Sequence, residues 1–90
     1  MQEGSYMLIE RGMTVRGRDA DLGTVEQVIV DTDADVFRGL VLVQGLLLTR
    51  RSFLSAEHVV AVSGNVVQVD ISKADAENLP PPSAVSPASS

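Results

Sequence analysis

The chain contains no cysteine, which excludes both a disulfide staple and a thiolate zinc site and leaves the redox compartment unread. It has a single histidine, His58. Histidines that catalyse or bind metal need a second ligand, a base or a nucleophile placed by the fold, so His58 reads as a surface residue at a strand start. No Gly-Lys-Ser/Thr follows any of the glycines, so there is no phosphate loop. No window approaches the length of a membrane-spanning apolar helix, and Met1 to Glu10 lack a basic segment followed by an apolar one. The expectation is a cytoplasmic protein with no membrane insertion. Positive charge is also scarce: 7 Lys and Arg stand against 12 Asp and Glu, for a net charge of −5. Only Arg50 and Arg51 are adjacent. A phosphate backbone is bound chiefly by clustered Lys and Arg, and here the long-range field has the wrong sign. Direct contact with nucleic acid or with an anionic membrane surface is therefore not expected.

What is present is one domain's worth of chain, 90 residues. At this size a fold buries only about 60% of the surface of the unfolded chain, which makes oligomerisation an obvious source of added stability. Val, Ile and Leu recur in short runs separated by Gly, Asp, Asn and Ser, the rhythm of strands joined by tight turns. Strands are predicted over about Thr14 to Arg16, Thr24 to Asp31, Phe37 to Gln44, Leu46 to Leu54, Val59 to Ser63 and Val66 to Ile71. Gly64-Asn65 between two valine-rich runs predicts a two-residue hairpin turn. Ser72 stands three positions ahead of Asp75, which suits the first turn of a short helix ended by Pro80 to Pro82. Residues 1–7 are expected to be flexible and residues 80–90 to form a disordered Pro/Ser/Ala tail, leaving 8–79 as the folded domain. Strand number, glycine spacing and size together predict a small six-stranded antiparallel β-barrel with a short C-terminal helix.

Several segments resemble the PRC-barrel family. Gly12-Met13-Thr14-Val15, then Asp19, Gly23-Thr24-Val25 and Val28-Ile29-Val30-Asp31 are similar to its opening. Arg38-Gly39-Leu40-Val41-Leu42 resembles its third strand, the run from Phe53 to Val59 its characteristic step, and Gly64-Asn65-Val66-Val67-Gln68-Val69 its final hairpin. Ser55 stands where the family commonly has proline, and a hydroxyl there can cap the same turn. The resemblance spans about Leu8 to Leu79. It implies a docking surface rather than a catalyst, as in the cytoplasmic barrel of the photosynthetic reaction centre H subunit and the C-terminal barrel of a ribosome maturation factor. These ninety residues hold neither the membrane helix of the first nor the extra N-terminal barrel of the second, so the expectation is a stand-alone member.

Three candidate sites emerge. Asp31, Asp33 and Asp35 alternate as in the opening of a calcium loop, but Val36 and Leu42 occupy the positions where that loop needs glycine and a bidentate glutamate. The competing reading is an acidic hairpin turn. Second, Leu46, Leu47 and Leu48 are consecutive, and successive strand residues point to opposite faces, so at least one must face outward. Leaving a leucine exposed forgoes roughly 1.5–3 kcal/mol of burial free energy. Val28 to Val30 and Leu40 to Val43 pose the same conflict, which makes Val28, Val30, Leu40, Leu42, Leu46, Leu47, Leu48 and Phe53 the interface candidates, with covering by the chain's own termini as the alternative. Third, Arg50 and Arg51 fall on opposite strand faces, so they form no joint clamp and serve to blunt an exposed edge.

The expectation is thus a module with no enzymatic activity and no cofactor, binding itself as a homodimer and an unidentified protein partner. The alternatives are a ribosome- or RNA-processing-associated factor acting through protein contacts, and a weak divalent-metal-binding protein.

Overall fold

The computed structural model describes residues 8–31, 33–45 and 49–84. Strands β1 (Thr14–Arg16), β2 (Asp21–Asp31), β3 (Val36–Gln44), β4 (Arg50–Ser55), β5 (Val59–Ser63) and β6 (Val66–Val69) are followed by a short helix α1 (Lys73–Ala76). Single 3-10 turns lie at Ala56–His58 and Pro82–Ala84. The six strands form one sheet in the order β4-β3-β2-β1-β6-β5. Among the described residues no helix is long and apolar enough to cross a membrane.

The expectation of an all-antiparallel closed barrel is corrected in two respects. First, β1 pairs with β6 in parallel, Thr14 opposite Val66 and Val15 opposite Val67. Tight turns dictate antiparallel pairing only between strands adjacent in sequence, and β1 and β6 are separated by enough chain to allow a parallel crossover. Second, the sheet ends at β4 on one side and β5 on the other, with no ladder joining them. It nevertheless wraps a single core. Val15, Leu22, Val25, Leu40, Leu42, Leu54, Val59, Val67 and Val69 bring all six strands into one cluster, completed by Ile9, Met13, Ile71 and Ala76.

The curvature has visible causes. Leu22 is an extra residue of β2 opposite β1, and Glu26 an extra residue of β2 opposite β3. Such bulges bend the bulged strand and increase its twist. The β5–β6 hairpin turns at Gly64-Asn65 with Ser63 opposite Val66, and of the turn pair only Gly64 has positive φ, at 57°. That suits a two-residue loop with glycine first. Ser72 caps α1: its hydroxyl accepts from the Asp75 backbone N–H while the Asp75 carboxylate accepts from the Ser72 N–H. Ala76 then faces the core, fully buried.

β3 is buried on both faces, as its unbroken Leu40-Val41-Leu42 run suggests. Leu40 pairs with Leu54 and points into the core, whereas Val41 pairs with Phe53 on the opposite face, outside the main cluster. There the Phe53 ring lies over Gly39, where a Cβ would approach two ring carbons at 2.8 and 2.9 Å and the Leu54 carbonyl oxygen at 2.2 Å. Only glycine leaves room for this approach.

Candidate interaction surface

The polar residues singled out in the sequence are engaged in holding the chain together. Asp31 closes the β2–β3 hairpin: its Oδ1 accepts from the backbone N–H of Asp33 at 3.1 Å and of Ala34 at 3.3 Å. Its Oδ2 lies 3.5 Å from Arg38 Nη2. Asp35 has positive φ, 54°, which aspartate tolerates better than most residues. The acidic alternation therefore builds a turn through the Asp31 side chain, and among the described residues no group of three or more His, Cys, Asp and Glu is arranged to hold a metal ion.

His58 bridges the start of β5 and the end of β6. Its Nδ1 is 2.9 Å from Asp70 Oδ1, its Nε2 3.8 Å from Glu57 Oε2, and its backbone carbonyl accepts from the Asp70 N–H. The two adjacent arginines diverge, as their position on a strand requires. Arg51 reaches from β4 across β3 to the bulged Glu26, with Nε 2.6 Å from Oε1. Arg50 donates to the backbone carbonyls of Glu77 and Leu79.

That second contact belongs to a strap along the β4 edge. Gln44 Nε2 donates to the Ala76 carbonyl and to Ser52 Oγ, both at 3.3 Å. The Phe53 backbone N–H donates to the Pro80 carbonyl at 2.8 Å. The chain from the end of α1 to Pro80 thus occupies the outer edge of β4, and the 3-10 turn at Pro82–Ala84 continues the contact with β4. The described structure therefore extends past Leu79, where the sequence suggested that a tail begins; residues 85–90 lie outside the described residues. A cleft of about 340 Å³ opens beside the strap, lined by Leu22, Gln44, Gly45, Arg50, Lys73 and Glu77.

The apolar interface candidates separate into groups. Leu40 and Leu42 are fully buried within the chain's own core, so neither has surface to offer a partner. Phe53 is 8% exposed and packs over Gly39. Val28, opposite Leu40, packs partly against the core, and Val30 is half-buried opposite Phe37. Leu46, Leu47 and Leu48 lie outside the described residues. For the Val28 to Val30 and Leu40 to Val43 runs the conflict is met inside one chain: the Glu26 bulge shifts which residues of β2 face inward, and Phe53 covers the outer face of β3.

Among the described residues the large apolar side chains that remain exposed are others: Leu8, Val36 and Val60. Val60 is the extra residue of β5 opposite β6, since Val59 pairs with Val69 and Ala61 with Gln68. It is 58% exposed and stands on an edge strand. Nothing in the sequence pointed to it, because which strand becomes an edge depends on the order of the whole sheet.

The family model for the PRC-barrel domain matches residues 11–76, most of the chain. No curated protein matches it.

Proposed function

The chain belongs to the PRC-barrel domain family, and from that membership together with its exposed apolar edge we propose that it is a small, non-enzymatic protein-interaction module that scaffolds another protein and forms a homodimer through outward apolar strand residues. The observation that carries this reading is Val60, a large apolar side chain held 58% exposed on a terminal strand. Exposed apolar surface on a rigid element is what a partner surface covers most favourably. Side chains of a kind that can do chemistry are engaged otherwise: Asp31 in its turn, His58 with Asp70, Arg51 with Glu26. Polar groups held in structural contacts suit a surface that presents shape and apolar area.

The test is affinity capture by the tagged full chain from its native lysate at low and moderate salt, with the retained proteins identified by mass spectrometry. A reproducible partner whose retention tolerates moderate salt is expected, because apolar contact is not screened as charge is. Retention of nothing but the chain itself would remove the scaffolding reading and leave a self-associating structural protein.

A further inference from the structure

The two edges of the sheet are treated differently. The β4 edge is occupied by the chain's own strap, through the Phe53 N–H to Pro80 carbonyl bond and the Arg50 contacts. The outer edge of β5 receives no such strap among the described residues; the backbone contact beside it, from the Asp70 N–H to the His58 carbonyl, is made toward β6. An unpaired edge is a template for another strand, and proteins usually discourage such pairing with charge, proline or cover. Val59–Ser63 reads VVAVS, with no charge and no proline. Its outer side chains, Val60, Ala61 and Ser63, are all exposed and none is long or charged.

We propose that the outer edge of β5 docks a second copy of this chain, β5 antiparallel to β5 about a two-fold axis at Ala61, joining two six-stranded sheets into one. This deepens the interaction-module reading and rests on it. The charge distribution selects the occupant. A partner recognised by charge finds nothing to read on VVAVS, so the strand that fits this edge is one equally free of charge, as β5 itself is. The antiparallel two-fold arrangement avoids self-repulsion: it sets Glu57 and His58 of one copy beside the neutral Gly64-Asn65 turn of the other, whereas a parallel arrangement would place the two Glu57 carboxylates side by side. The same strand meeting itself is also the isologous contact from which closed dimers are built, so assembly stops at two.

The test uses the full chain. Sedimentation equilibrium from micromolar to submillimolar concentration is expected to show a reversible monomer–dimer equilibrium. Val60→Lys and Ala61→Lys, both at exposed positions, are each expected to weaken association about tenfold or more, with an unchanged melting curve at low micromolar concentration, where dimer is sparse, since edge lysines oppose strand pairing. Because the chain has no cysteine, Ala61→Cys gives a clean geometric readout. Directly opposed antiparallel residues sit about 4.5–5.5 Å apart at Cα, within disulfide range. This variant is expected to cross-link under mild oxidation while Asp33→Cys, on the distant hairpin, does not. A wild-type dimer that persists unchanged in both lysine variants overturns the edge proposal and leaves the module standing. A wild-type monomer at every concentration also overturns it; if that monomer still captures a foreign protein, the module reading survives, and if it captures nothing, both fall.

Discussion

Phe53→Ala distinguishes a residue used inside the chain from one held for a partner. Phe53 is 8% exposed, paired with Val41 and seated over Gly39, where an added Cβ would come within 2.9 Å of the ring. Truncating a buried phenylalanine costs about 3–5 kcal/mol, and the lower end applies here because the ring lies outside the main cluster, where the surroundings can relax. A chain of this length has a total stability of about 5–13 kcal/mol, so the variant is expected to remain folded in buffer. With a urea slope of about 1–1.5 kcal/mol per molar, a loss of about 3 kcal/mol lowers the unfolding midpoint by about 2–3 M at constant slope. Urea unfolding followed by far-ultraviolet circular dichroism, run at low micromolar concentration where dimer is sparse, measures this directly. Self-association of the variant, measured under native conditions, is expected to equal that of the wild type. A midpoint shift under about 0.5 M combined with loss of association would refute the packing argument and return Phe53 to the interface.

Three further outcomes follow from the same geometry. Arg50→Ala removes two contacts holding the strap, so the Phe53 amide, bonded to the Pro80 carbonyl, is expected to exchange with solvent several-fold faster by native-state hydrogen exchange while core amides such as Leu54 change little. Ser72→Ala breaks the reciprocal cap of α1 and is expected to cost about 1 kcal/mol, read as a fall of several degrees in the thermal midpoint. Titration with calcium or manganese is expected to give no binding heat at millimolar metal, whereas Asp31→Ala is expected to lower stability without any metal present, because the Asp31 carboxylate holds the turn and pairs with Arg38.

Local features were legible in the sequence because local spacing decides them. The strands at Thr14–Arg16 and Val59–Ser63, the Gly64-Asn65 turn and the Ser72 cap of α1 all stand where turn chemistry and capping place them. Alternation failed where a bulge interrupts it. With Glu26 extra on β2, the face of Val28 to Val30 cannot be counted onward from Val25, whereas Leu40 to Val43 alternate regularly opposite β4 and are simply covered on both faces, Leu40 and Leu42 in the core and Val41 beside Phe53. The strap was illegible for a different reason. Its anchors are backbone carbonyls, which every residue carries, so the proline-rich composition after Leu79 gave no sign that Pro80 docks on β4. The bare edge was hidden because strand order is a property of the whole sheet, and the parallel placement of β1 beside β6 leaves no short-range mark.

That parallel pairing also orders events during synthesis. β1 is flanked on one side by β2, made soon after it, and on the other by β6, whose Gln68 side chain donates to the carbonyl of Arg16, 52 residues earlier in the chain. At roughly 5–20 residues per second, several seconds separate the emergence of these two strands from the ribosome. Until β6 arrives, one edge of β1 stays open and the apolar interior lacks Val67 and Val69. The nascent domain therefore cannot complete its sheet piecemeal: the β2–β3–β4 meander can form early, but closure of the core waits for the last strand, and a chain ended before β6 keeps an open edge on β1 and a β5 with no strand to pair with.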